Sequence, residues 1–335
     1  MLRLLKILFG LSAVLVLVAG LGAGGLFLYG KHRFEAPGPA APDRAAQTVV
    51  LLERGIGLGT IARRLEARGV ITQARIFSLA ARIQGRGSNL KAGEYAIPSR
   101  ASMAKILDIL TQGKSILHRL TVPEGYSVAQ VVDLLRADPV LVGEVTDPPE
   151  EGLLLPETYL FQRGTTRMDL LARMQADKRA VLDALWDDRA ADLPLATPYE
   201  ALILASIVEK ETGLADERPL VASVFVNRLR KGMRLQSDPT VIYPITKGRP
   251  LGRRIRRSDL DADNPYNTYV KGGLPPTPIA NPGRAAIAAV LNPPQTDFLY
   301  FVADGTGGHV FAKTLKEHNE NVARWRRVQR EKGQR

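Results

Sequence analysis

Between Ile7 and Tyr29 the chain runs 23 residues without a charged side chain, ILFGLSAVLVLVAGLGAGGLFLY. A run of that length spans a bilayer as a single helix. The apolar signal then stops, and Glu35 to Ala46, EAPGPAAPDRAA, is rich in Pro and Ala with no hydrophobic period. Residues 30–46 therefore read as a semi-extended spacer. Periodic patterning resumes at Gln47. TVVLLERG is strand-like, and LGTIARRLEARGV sets Leu58, Ile61, Ala62 and Leu65 at helical spacing with Gly69 as the stop. QARIFSLAARIQG predicts a second short helix and LKAGEYAIP a returning strand, so a small βααβ unit ends near Pro98. SMAKILDILTQG adds a helix with Met103, Ile106, Leu107 and Leu110 inward.

Beyond residue 115 the pattern is more helical. ILHRLTVPEG reads as a strand, followed by helices over Ser127–Arg136, Met168–Trp186, the stretch ending in IVEKETG, and Glu217–Lys231. A loop-rich region through NPYNTYVKGGLPPTPIANPG leads to DFLYFVADGTGGHVFA, two strands about a glycine-rich turn. A basic helix, NENVARWRRVQREKGQR, closes the chain. The expected fold class is α+β, divided into a stub (1–6), a membrane span (7–29), the spacer (30–46), a small module (47–115) and a larger mixed α/β domain (116–335).

Charge and composition narrow the setting. A formal charge of +12 fits an anionic neighbour such as phospholipid headgroups, nucleic acid or an acidic wall polymer. Arg3 and Lys6 precede the apolar run, and Lys31 and Arg33 follow it. A long following domain translocates largely regardless of local charge, so the short basic start reads as a signal anchor with its N-terminus in the cytoplasm. A signal peptide cleaved near GLGAGG is the rival reading. Cysteine is absent, which excludes disulfides, thiolate metal sites and a cysteine nucleophile. His32, His118, His309 and His318 show no ligand spacing of the HExxH kind, and neither metal nor cofactor is expected. GIGLG at Gly55–Gly59 lacks the third-glycine spacing of a dinucleotide loop.

The best-marked helix carries the candidate chemistry. Thr197 can cap it, Pro198 fits the first helical position, Glu200 completes a capping box, and Gly213 marks the end. Residues two apart on a helix point roughly 200° apart, so Glu209 and Glu211 face different ways. Glu211 continues the stripe of Leu204, Ile207 and Val208, whereas Glu209 falls on a more mixed face, where a solvated charge is the ordinary outcome. A carboxyl pressed against apolar side chains loses hydration and its pKa rises, as a general acid near neutral pH requires. The competing role for Glu211 is a buried ion pair with Arg218 or Arg228. Ser206 and Lys210 stand four apart, but without the strained turn that presents a catalytic hydroxyl.

Two resemblances add to this. IGLGTIARRLEARGVI followed by LKAGEYAIP is similar to the LysM-type glycan-binding module, with a plain α+β positioning domain as the alternative. LASIVEKETG, VASVFVNRLRKGMRLQSDPTVIY, YNTY, GLPPTPIANPG and LYFVADGTGGHVF together resemble the endolytic murein transglycosylases, the YceG-like family, from about Thr48 to near the C-terminus. IVEKET is also similar to the catalytic-helix pattern of lysozyme-like lytic transglycosylases, with Thr212 in place of serine, and this register puts the catalytic glutamate on Glu211, with Glu209 the alternative. The resemblance implies cleavage of the bond between N-acetylmuramic acid and N-acetylglucosamine within nascent peptidoglycan strands, leaving 1,6-anhydromuramic ends. It also implies a single-pass protein of the bacterial inner membrane, its catalytic domain on the periplasmic side, working beside peptidoglycan synthases. Asn227, Gln236 and Asp238 are candidates to bind the N-acetyl groups or orient Glu211, against helix exposure for Asn227 and turn capping for Asp238. Tyr266, Asn267 and Tyr269 are candidates to line a sugar groove, against stapling of the core. Two other functions compete: a non-catalytic membrane-anchored scaffold that grips peptidoglycan, and a basic protein binding nucleic acid, which requires residues 40–335 to face the cytoplasm.

Overall fold

The computed structural model describes residues 2–333, a mixed α+β chain that divides into two compact units. One runs up to His118 and takes in Gln162–Gly164; the other comprises Arg119–Phe161 and the chain from Thr165 onward.

The first unit begins with α1 (Leu2–Glu35), whose segment Phe9–Glu35 is long and apolar enough to cross a membrane and has none of its apolar window buried. After it, β1 (Gln47–Leu52), α2 (Leu58–Ala67), α3 (Ala74–Ile83) and β2 (Gly93–Pro98) form the βααβ unit, with β1 and β2 paired antiparallel from Gln47↔Pro98 to Leu52↔Gly93. Strand alternation sends Val50, Leu52, Tyr95 and Ile97 inward. They pack on Leu65, Phe77 and the Ile106, Leu107 and Leu110 face of α4 (Met103–Gln112).

The expected spacer is corrected by this packing. The helix continues through Lys31 to Glu35, and Phe34 is only 6% exposed within the unit's core. Gly38 N–H donates to Arg100 O at 3.2 Å, Arg100 N–H returns to Pro39 O at 3.0 Å, and Ala41 N–H donates to Ser99 Oγ at 3.0 Å. Prolines do not free a segment whose remaining donors find partners on a folded surface.

β3 (Leu117–Thr121) and β4 (Thr158–Gln162), which give the second unit Arg119–Thr121 and Thr158–Phe161, form one ladder, and β5 (Tyr300–Ala303) and β6 (His309–Ala312) form an antiparallel hairpin. Two helices, α5 (Val128–Ala137) and α6 (Arg167–Asp187), precede α7 (Pro198–Glu211), the centre of the unit. α8 (Arg218–Arg230), α9 (Asp238–Thr246) and α11 (Arg284–Leu291) pack on α7 together with α6; α10 (Arg257–Leu260) is a single turn, and α12 (Leu315–Gly333) ends the described chain. Every residue from Ala201 to Val208 is buried, so α7 is enclosed on all faces rather than along one stripe. The capping box forms as its sequence dictates: Thr197 Oγ1 accepts Glu200 N–H at 3.2 Å and Glu200 accepts Thr197 N–H at 3.3 Å.

Candidate active site

Two glutamates leave the C-terminal turn of α7, beyond its buried stretch Ala201–Val208, and each meets a different set of groups. Glu211 accepts a hydrogen bond on Oε1 from Ser237 Oγ. Burial pushes its carboxyl up to about 7; the Ser237 donor pulls it down, neighbouring Asp238 pushes it further up, and His309 and Arg228 pull it down. A carboxyl near 7 populates both protonation states at neutral pH, as proton transfer in either direction requires.

Ser237 is itself fixed. Its N–H donates to Thr268 Oγ1 at 3.0 Å, its carbonyl accepts from Thr240 Oγ1 at 2.6 Å, and the Thr240 and Thr268 hydroxyls lie 2.8 Å apart. Ser237, Thr240 and Thr268 are all buried, so this polar chain is satisfied internally and holds the hydroxyl at the carboxylate. The backbone explains why Ser237 rather than its neighbours points in. Gln236 adopts a left-handed conformation, φ 53°, which turns the chain and leaves Gln236 and Asp238 exposed on either side. The sequence singles out Gln236 and Asp238 around Ser237, and Asn267 and Tyr269 around Thr268; of the residues between them, Ser237 bonds Glu211 and Thr268 holds Ser237. The N-terminal Ser-Asp-Pro of α9 was the available signal for Ser237.

Glu209 is not a solvated charge. Its side chain is 4% exposed, Oε2 accepts the Gly283 N–H at the start of α11 at 2.8 Å, and Oε1 lies 3.4 Å from Arg218 Nη2. Burial raises its pKa, the Gly283 N–H lowers it, Glu124 raises it, and Arg218 and Lys178 lower it. Lys178, buried on α6, donates to Pro282 O, and burial drives its ammonium down to about 7 against the opposing pull of Glu209 and Glu124. Because α7 is enclosed all round, its mixed face also meets protein, and a carboxylate there needs this set of cations and a helix N-terminus. Arg218 is thereby taken by Glu209 and by Glu124 at 3.4 Å, not by Glu211. Arg228 donates through Nε to Leu299 O at 2.7 Å and through Nη1 to Leu235 O at 2.6 Å, and reaches Glu211 through its field alone.

The remaining candidates divide sharply. Tyr269 O–H donates to Asp238 Oδ1 at 2.7 Å, and its ring lies within the field of Glu211, so this pair borders the carboxylate. Tyr266 packs its ring on Tyr243, 5.2 Å between centroids, with its hydroxyl 2.8 Å from Thr277 Oγ1. Asn267 is 1% exposed and donates to the carbonyls of Leu260 and Ala262 at 2.9 and 2.8 Å, which makes it a loop staple and takes it out of the expected sugar groove. Asn227 donates to Thr296 O at 2.7 Å and Phe298 O at 3.1 Å, tying down the strand leading into the hairpin. Ser206 and Lys210 do not form a dyad: Ser206 Oγ donates to Ile203 O and Lys210 to Gly125 O.

His309 is a residue the sequence reasoning weighed only as a metal ligand. Glu217 holds it twice, accepting its N–H on Oε1 and lying with Oε2 at Nδ1, both at 2.7 Å. The imidazole is thus oriented within the electrostatic reach of Glu211. Among the described residues no group of His, Asp and Glu is disposed to hold a metal ion.

Comparison with known proteins gives consistent matches. The model of the YceG-like family matches residues 50–324. The endolytic murein transglycosylase of Bacillus subtilis (strain 168) is 33% identical over 330 residues, covering 89% of this chain and 89% of its own length. The endolytic murein transglycosylase of Streptococcus pneumoniae (strain D39) is 31% identical over 358 residues, covering 92% of this chain and 64% of its own length. The crystal structure of a yceG-like protein of Listeria monocytogenes superposes with a TM-score of 0.50 at 32% identity, covering 82% of this chain and 98% of that one.

Proposed function

Because this chain belongs to the YceG-like family, we propose that it is an endolytic murein transglycosylase, an enzyme that cleaves peptidoglycan, with Glu211 as its catalytic acid and base. The observation that carries the assignment to Glu211 is a partly buried carboxyl raised to about 7 and held by one fixed hydroxyl, Ser237.

Glycosidases that use water or a carboxylate nucleophile need two carboxyl groups flanking the bond. Glu209 does not form such a pair with Glu211, since its oxygens are engaged by Gly283 and Arg218. One carboxyl suffices if the nucleophile belongs to the substrate. Protonated Glu211 gives its proton to the glycosidic oxygen as the bond from C1 of N-acetylmuramic acid breaks. The C6 hydroxyl of the same sugar then attacks C1, its proton passes to the Glu211 carboxylate, and a 1,6-anhydro end remains. His309, oriented by Glu217, and Arg228 stabilise the carboxylate form of Glu211 between the two transfers. Tyr269 and Asp238 border the reacting sugar.

The finer features follow from the same reading. α7 acts as a lysozyme-like catalytic helix, the antiparallel β1/β2 pair with α2 and α3 acts as a LysM-like glycan-binding module, and α1 anchors the enzyme in the inner membrane with both units on the periplasmic side. Cleavage within strands still being made terminates their elongation beside the synthases.

Full-length protein in detergent, incubated with uncrosslinked peptidoglycan and analysed by mass spectrometry, tests the reading. Anhydromuramic ends from the wild type and Glu209→Gln, with none from Glu211→Gln, are expected. Reducing ends would sink the single-carboxyl mechanism and direct attention to Asp238 as a second carboxylate. Binding without cleavage would leave the scaffold reading in its place.

A further inference from the structure

Helix α3 buries Ala74, Phe77 and Ala81 in the core of the first unit and leaves two large apolar side chains outside, Leu79 at 60% and Ile83 at 66% exposed. They stand four residues apart, on one face of the helix. Their neighbour is the end of α1: Leu26, Phe27 and Phe34 line one groove with Ile76, Leu79 and Ile83. Leu26 and Phe27 belong to the uncharged run that ends at Tyr29, two residues before Lys31. α3 is therefore packed at the level where α1 leaves its apolar stretch.

That level is fixed, because α1 is built into the unit. Phe34 lies in the unit's core, Arg33 Nη2 donates to Thr72 Oγ1 at 3.4 Å just ahead of α3, and Gly38 and Pro39 exchange backbone hydrogen bonds with Arg100. Charge completes the pattern. Arg63, Arg75 and Arg82 line the adjoining surface of α2 and α3, all exposed, and none has a carboxylate partner among the described residues. Of the carboxylates there, Glu66 accepts the Ala74 N–H at 3.0 Å, and Glu35 lines the groove beside Lys31 and Arg75. An apolar face rimmed by arginines is the composition of a helix lying in a membrane interface.

We propose that α3 is an interfacial helix, Leu79 and Ile83 entering the bilayer surface while Arg63, Arg75 and Arg82 meet anionic phospholipid headgroups, so that the first unit is docked on the membrane. The proposal rests on α1 spanning the bilayer. Continuity with α1 and the sign of the charge select a lipid surface over a protein partner.

The absence of cysteine makes the test direct. Full-length Leu26→Cys, Leu79→Cys and Ile83→Cys proteins, each carrying one environment-sensitive fluorophore, are reconstituted in vesicles of phosphatidylglycerol and phosphatidylcholine containing acyl-chain nitroxide lipid. Docking predicts loss of fluorescence at all three positions. It also predicts that the loss at 79 and 83 shrinks in vesicles of phosphatidylcholine alone, and when Arg75→Gln and Arg82→Gln are added. Quenching at 26 without quenching at 79 and 83 overturns docking and leaves the anchor intact. No quenching at any position overturns the anchor, and the proposal with it. Quenching at 79 and 83 that ignores both lipid charge and the arginine changes overturns the headgroup assignment.

Discussion

Raising the Glu211 carboxyl from its ordinary value of 4.5 to about 7 corresponds to about 3 kcal/mol against its charged form. The sign of its effect on stability follows. Between these two values the folded protein binds more protons at this site than the unfolded chain does, so stability falls as pH rises through that window. The cost is absent below 4.5 and complete above about 7. Glu211→Gln removes the charge while keeping an oxygen for Ser237. We expect it to abolish cleavage, a loss of about 100-fold or more, and to stabilise the fold above pH 7 by roughly 1–3 kcal/mol. Thermal unfolding of both proteins across pH should show curves that separate at alkaline pH and converge toward pH 4.5; a constant offset would place the buried charge elsewhere. Ser237 gives the complementary test. Its hydroxyl favours the carboxylate, and a hydrogen bond to a charged group contributes about 1.5–3 kcal/mol. Ser237→Ala should therefore move the alkaline limb of kcat/KM upward by about one pH unit. A limb that stays in place would mean Ser237 merely packs. The sequence singles out Glu211 as a candidate because helical geometry relates it to its neighbours. It did not reach Ser237, since the left-handed Gln236 reverses which side chain turns inward, nor Thr268, which lies in a loop that no periodicity records.

At the scale of elements, legibility followed the local signals. The capping box, the proline at the first helical position and Gly213 bounded α7, and the structure places that helix at Pro198–Glu211. The β1, α2, α3, β2 order was equally plain, because period 2 and period 3.6 alternate there with glycine stops. What the pattern misjudged was the environment of α7. A helix apolar all round is buried all round, and the residues that look mixed, Ala205 and Ser206 behind Glu209, are small enough to admit close neighbours. Ser206 accepts the Ile279 N–H at 3.0 Å, so a polar residue in the stripe is a bond to the next segment. Since α7 holds Glu211 at its last turn, its first turn should affect stability and leave the chemistry alone. Thr197→Ala removes the acceptor for the Glu200 N–H and should cost about 0.5–2 kcal/mol of unfolding free energy in urea. The rate per folded molecule should match the wild type; a slower rate at full folding would show that the register of the whole helix reaches the carboxylate.

For the whole molecule, the decisive region is where α1 meets the first unit. Proline and alanine in EAPGPAAPDRAA argue for a spacer, and by that logic the chain could be cut anywhere between Gly30 and Ala46 with equal results. The structure makes the cuts unequal. Phe34 fills the core of the first unit, and residues 38–41 give that unit three hydrogen bonds. Composition hid this because a segment with few apolar residues shows no period, while one phenylalanine in a cavity of the right shape contributes on the order of 3–5 kcal/mol. A chain beginning at Lys31 should therefore keep the first unit folded, whereas one beginning at Ala40 should lose at least about 3 kcal/mol in its unfolding transition. Urea titrations of the two truncated chains decide the matter: coincident midpoints would restore the spacer. A displaced midpoint means α1 and the first unit share a core, so the unit is fixed to that helix by packing and not held by a tether.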